Sequence, residues 1–224
     1  MRPEQPVPWP LVVAPLVLQL AATILVATIL QPPSDVDVAV YSLRYGAVLL
    51  FSYAVLVGAT VVVADRFGDV RELLALHRVG VARTIGNALL GLAAASVVAI
   101  VLEPVFHGIR AQGFTPEPFP GGAAHAAGFA VVALGFAVAA PIGEELYFRG
   151  LLLGRLLGHG PAIAVLVQAA VFGAAHFTPA AFPVLTLYGI VFGVLRVRTS
   201  SVLPGALAHG LNNGFALALA VASA

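Results

Sequence analysis

The sequence has no cysteine, no lysine, one methionine and one tryptophan, and only 9% of its 224 residues are charged. Without cysteine there are no disulfides, no thiolate metal sites and no cysteine nucleophile. All 11 basic side chains are arginine, which reads as a genomic composition bias rather than a functional choice. The formal net charge is +1, with no clustered basic and aromatic face, which argues against nucleic acid as a partner. G-x-S-x-G and H-E-x-x-H are absent as well, which removes the nucleophile elbow and the ordinary zincin pattern. There is no internal repeat and no low-complexity tract.

What the chain does have is apolar length. Sixty per cent of its residues are hydrophobic, and its mean hydropathy of +1.01 lies far outside the balance of a water-soluble domain. A bilayer core about 30 Å thick needs about 20 apolar residues per helical span. The runs predict about seven: Trp9 to Leu30, Leu43 to Ala64, Val81 to Leu102, Ala126 to Ile142 and onward, Ala162 to Phe177, Phe182 to Leu195, and Val202 to Val221. They are separated by turn-rich breaks such as Gln31-Pro32-Pro33-Ser34-Asp35, Thr115-Pro116-Glu117-Pro118 and Gly158-His159-Gly160-Pro161. Barrel strands would alternate polar and apolar residues, and these runs do not. The first run is longer than the h-region of a signal peptide and is expected to stay as a span. The expected fold is therefore an all-α, polytopic transmembrane bundle.

Cytoplasmic loops are enriched in basic residues near span ends. Seven spans with a cytoplasmic N-terminus place Arg2, Arg66, Arg71, Arg78, Arg83, Arg149, Arg155, Arg196 and Arg198 inside, and only Arg44 and Arg110 outside. The segment from Asp65 to Arg83 reads equally as an amphipathic surface helix or as a solvated charged loop.

Ionisable groups within a span cost about 2.5–3.5 kcal/mol each on insertion scales, so they tend to line cavities and carry function. Three places qualify. Glu144 and Glu145 interrupt an apolar helix ahead of Arg149. Helical neighbours point about 100° apart, while i and i+4 face one another. Glu145 and Arg149 are thus expected to form a clasp, leaving Glu144 as a general base in a wet cavity. His176 follows the small residues Gly173-Ala174-Ala175, which allow close helix approach. His209 and Asn213 share one helix face at i and i+4. An imidazole can orient water, shuttle a proton or bind a metal, and an amide can donate to an oxyanion. His77, His107, His125, His159, Glu103, Arg110 and Glu117 fall in or beside loops, and Ser200 and Ser201 in a turn.

Three ordered motifs, Glu144-Glu145-x-x-x-Arg149, Phe172-x-x-x-His176 and His209-x-x-x-Asn213, resemble those of the CAAX protease and bacteriocin-processing (CPBP, or Abi) family of membrane proteases, to which type II CAAX prenyl endopeptidases belong. The resemblance runs from about Ala126 to Leu219 and divides the chain into residues 1–125, without a recognised motif, and a catalytic core at 126–222. It implies a multi-pass endopeptidase of the cell membrane in which Glu144 activates water and His176 positions that water or binds a metal. Glu145, Arg149 and Phe172 would support them, and His209 and Asn213 would stabilise the oxyanion. Glu144, His176 and His209 could complete an open zinc site, so a zinc enzyme and a metal-free glutamate enzyme both remain open. The implied substrate is a peptide or membrane-associated protein, prenylated in CAAX processing, reached through a polar cavity opening toward the cytoplasm. A non-catalytic interaction or bacteriocin-immunity protein and a proton-coupled transporter are the rival readings.

By linear counting, His176 lies about 21 Å along its helix from the cytoplasmic end and His209 about 10 Å along its own. The two meet Glu144 only if helices tilt or if the turn Gly158 to Pro161 is displaced from the membrane surface.

Overall fold

The computed structural model describes residues 6–34, 39–107 and 118–222. Arg2, Asp35, Arg110, Thr115, Pro116 and Glu117 lie outside the described residues.

Seven long helices fill the described chain, close to the expected boundaries. They are α1 (Trp9–Leu30), α2 (Leu43–Phe67), α4 (Val81–Phe106), the 37-residue α5 (Ala123–His159), α6 (Pro161–Ala174), α7 (Phe182–Thr199) and α8 (Leu203–Ala222), with a four-residue α3 (Val70–Leu73) between α2 and α4. No strand occurs among the described residues. Five helices, α1, α2, α4, α5 and α7, are long and apolar enough to cross a bilayer. The protein is a multi-pass, all-helical membrane protein.

At 1.5 Å per residue the 14-residue α6 is about 21 Å long, too short for a hydrocarbon core of about 30 Å. The chain turns at Ala175–Ala181, and non-helical backbone away from water must satisfy its own polar groups. It does so locally: Phe177 N–H donates to Ala174 O at 3.1 Å, Ala181 N–H to Thr178 O at 3.0 Å, and Thr178 Oγ1 to His176 O at 3.1 Å.

Helix α5 is the axis of the fold, and its glycines set how closely neighbours approach. A Cβ on Gly128 would meet Tyr41 O, one on Gly135 would lie 3.0 Å from Leu49 Cβ, one on Gly143 3.1 Å from Tyr53 Cδ1, and one on Gly150 3.0 Å from Leu74 O. These glycines recur every seven or eight residues, about two helical turns, and so form one seam along which α2 and the segment after it lie. A side-chain hydrogen bond from Thr23 to Ser52, 2.8 Å, ties α1 to the same helix.

Of its two expected forms the segment after α2 takes mainly the loop, with Asp69, Arg71, Glu72 and Arg78 exposed. Only Val70–Leu73 is helical, and Leu74 and Ala75 are fully buried. Val202 N–H donates to Ala75 O at 3.1 Å and Ser201 Oγ to His77 O at 2.8 Å, so the loop is inserted beneath the start of α8. Its charged side chains face outward as in a solvated loop, while Leu74 and Ala75 turn inward, Leu74 against Gly150.

Candidate active site

Proline creates the first irregularity on which the site is built. Within α5, residues Gly135–Ala139 and Glu145–Leu152 are π-helical, on either side of the α-helical turn Ala140–Glu144. Pro141 has no N–H and crowds the preceding turn. Ala140 N–H bonds to Gly135 O rather than to Phe136 O. In that i to i+5 register the donor for Phe136 O would be residue 141, which has none. Asn213 supplies it from α8, with Nδ2 donating to Phe136 O at 3.1 Å. Alongside, a Cβ on Gly210 would sit 2.8 Å from Ala137 O, so glycine there lets α8 lie against the opened stretch. π-Bulges of this kind occur frequently at functional sites.

One turn further on, the acids converge. The clasp expected between Glu145 and Arg149 is present, with Arg149 Nη1 2.9 Å from Glu145 Oε1. Both side chains are essentially sealed from solvent. Arg149, counted in the sequence among the cytoplasmic arginines, is thus an internal residue and carries no weight in the orientation argument. Its guanidinium lies 4.3 Å from the ring centroid of Phe172, 5.5 Å from Phe192 and 5.9 Å from Phe148. Phe172 is therefore the main aromatic face supporting the cation. Nε and Nη2 have no hydrogen-bond partner, so the aromatic faces, the Glu145 carboxylate and, at longer range, Glu144 are what stabilise the buried charge.

Glu144 and Glu145 were expected to serve different directions, yet they reach the same imidazole. His209 Nδ1 lies 3.2 Å from Glu145 Oε1 and Nε2 lies 3.7 Å from Glu144 Oε2. The ring spans the angle between the two neighbours by presenting a nitrogen to each. The first contact is a hydrogen bond and the second is beyond hydrogen-bond length. The His209 ring is stacked on Phe192, centroids 5.0 Å apart at 21°, which fixes its plane. Gly205, one turn earlier on α8, makes room for Glu145: a Cβ there would stand 2.8 Å from Oε2.

His176 sits in the turn just after α6, with Nδ1 2.8 Å from Phe172 O. It reaches the others through Phe172, whose ring centroid is 4.9 Å from that of His176 and 6.0 Å from that of His209. The depth difference obtained by linear counting is absorbed in the packing, since the two imidazoles flank one phenyl ring.

Glu144 is 7% exposed. Two apolar cavities of about 310 and 430 Å³ flank the turn after α6 and share Phe177, but neither is lined by Glu144, Glu145 or His209. Among the described residues no three of His, Asp and Glu are grouped as ligands for one metal ion. In the set Glu144, His176 and His209 considered for zinc, Phe172 O and Glu145 engage the two Nδ1 atoms, so the two Nε2 atoms are the nitrogens a metal would meet.

One member of the site has no motif. Tyr53, on α2, donates its hydroxyl to Glu144 Oε1 at 2.7 Å. It lies in the first 125 residues, and the signal that could have found it is the glycine seam of α5, where Gly143 directly precedes Glu144.

These features define a helical membrane protein with two carboxylates, an imidazole and an arginine buried together and a second, half-buried imidazole beside them. Residues 126–215 match the model of the Rce1-like family, described as type II CAAX prenyl endopeptidases. That segment is less than half of the chain, and the family it matches is the CAAX-protease group that the three motifs resemble. Neither the curated proteins nor the solved structures contain a match.

Proposed function

We propose that the protein is an intramembrane endopeptidase that hydrolyses a peptide bond with a water activated by Glu144. The observation that carries this reading is the pair of adjacent buried carboxylates bracketing His209, one clamped by Arg149 and the other held only by neutral or titratable groups. Glu145, in contact with Arg149 Nη1 and His209 Nδ1, is committed to structure. Glu144 has one oxygen on Tyr53 and the other turned to His209 Nε2, with no arginine of its own.

In the proposed reaction Glu144 takes a proton from water as the water oxygen adds to the scissile carbonyl carbon. His209 and Asn213 donate to the oxyanion, and His176 orients the water. As the intermediate collapses and the C–N bond breaks, Glu144 returns its proton to the departing amine. With Nδ1–H held by Glu145, His209 can gain and lose a hydrogen at Nε2 without turning its ring. No step runs through a metal ion. The family description points to membrane-associated proteins ending in a prenylated CAAX motif as the substrate class. The remaining loop arginines support a cytoplasmic N-terminus.

The test is cleavage of prenylated and unprenylated peptides by the purified protein in liposomes. Glu144→Gln is expected to lower kcat at least about 100-fold, since it removes the base. Full activity in that variant overturns the mechanism, and substrate-dependent proton flux without cleavage overturns the class.

A further inference from the structure

Tyr53 lies outside the family segment, yet its hydroxyl makes the shortest polar contact recorded for Glu144, 2.7 Å to Oε1. The structure assigns Tyr53 as a positioning residue of the site: by occupying Oε1 it holds the carboxylate so that Oε2 is the oxygen presented to His209 and to the reacting water. This assignment deepens the proposed protease reading and rests on it for its catalytic consequence.

Three independent features place the tyrosine. First, the ring lies against α5 where there is no side chain to oppose it, because a Cβ on Gly143 would come within 3.1 Å of Tyr53 Cδ1 and 3.4 Å of Leu56 Cδ2. Second, the neighbouring residue of α2 is anchored: Ser52 Oγ donates to Val48 O at 2.6 Å and accepts from Thr23 Oγ1 at 2.8 Å. Third, Leu49, one turn before Tyr53 on α2, packs at the Gly135 position of the same seam, so the height of Tyr53 along α5 is set by more than its own contact.

The chemistry follows from the inventory of lone pairs. A carboxylate has two oxygens and rotates about its last bond, a broad and soft torsion. In Glu144, the only member of the acid pair without an arginine, that rotation would exchange the oxygen facing His209. A charge-assisted hydrogen bond from a hydroxyl on a packed ring removes that freedom. A misplacement near 1 Å at a reacting group can cost about 100-fold in rate, so holding one rotamer matters to turnover more than to substrate binding.

Tyr53→Phe deletes one oxygen and leaves the ring on Gly143. We expect kcat to fall about 10-fold with KM changed less than about twofold, because the contact acts on the base and not on the bound peptide. A second measurement needs no substrate: thermal unfolding of Tyr53→Phe, Glu144→Ala and the double variant in detergent. If the two groups interact as seen, the double variant melts about 2 °C or more above the value obtained by adding the single shifts. An unchanged kcat in Tyr53→Phe, or KM rising as much as kcat falls, overturns the assignment. Strictly additive melting shifts overturn it too, even where peptides are cleaved. A wild-type protein that cleaves nothing but shows coupled melting refutes the protease reading and leaves the Tyr53–Glu144 contact intact.

Discussion

Replacing Arg149 by methionine tests the electrostatic account of the site most directly. The side chain has zero exposure, its charge faces one carboxylate at 2.9 Å, and its remaining surface is covered by three phenyl rings. Methionine fills similar volume against those rings but leaves Glu145, itself 1% exposed, without its cation. Breaking a buried pair by removing one partner costs about 3–5 kcal/mol. Because His209 Nδ1 still contacts the same oxygen of Glu145, the lower end, about 3 kcal/mol, is expected. For a chain of this size that is a fall of about 6–12 °C in Tm. Thermal unfolding of the purified protein in one detergent measures it. Glu145→Gln in the same background removes the stranded charge while keeping an acceptor for His209, and should recover most of the loss. The reasoning is refuted if Arg149→Met melts within about 2 °C of the wild type, or if the double variant is no more stable than the single one.

Two further outcomes follow from the backbone. Gly205→Ala places a methyl group 2.8 Å from Glu145 Oε2, an oxygen whose carboxyl is already held by Arg149 and His209. The carboxyl must turn and carry His209 with it, so peptide cleavage should fall at least about 10-fold in a protein that still folds. Wild-type cleavage would show that the Glu145–His209 contact does not matter to turnover. Asn213→Asp keeps the shape but replaces the donor to Phe136 O by an acceptor, setting a carbonyl against a carboxyl group. The expected cost is about 1–3 kcal/mol in thermal unfolding, and an unchanged Tm refutes the role given to Asn213 in closing the π-helical stretch.

Much of this protein was legible from composition and spacing. An apolar run of about 20 residues can do little other than span as a helix, because in hydrocarbon each backbone group must be satisfied within its own segment. That is why seven helices start within a few residues of where the apolar runs place them, although the runs leave the end of the fourth open. The Glu145–Arg149 pairing was equally legible, since i and i+4 face one another in a π-distorted helix as they do in a regular one. Polar residues in apolar runs also singled out three stretches of chain, and the structure packs side chains from all three against one another.

What could not be read was how those stretches meet. Spacing within α5 sent Glu144 and Glu145 apart, whereas α8 brings one imidazole between them, and nothing local to either segment encodes that approach. Tyr53 has no motif of its own, and the glycine seam of α5 marks only where a neighbouring helix comes close, not which of its side chains meets Glu144. The buried loop at Leu74 and Ala75 likewise depended on Gly150, a residue 75 or more positions further along the chain. The sequence by itself determined the number of helices, the medium they occupy and the residue types available for chemistry, since burial in lipid and hydrogen bonding along one helix are local matters. The tertiary structure decided which oxygen faces which nitrogen, because glycine seams and the break at Pro141 set interhelical distances, and those distances are properties of pairs of helices.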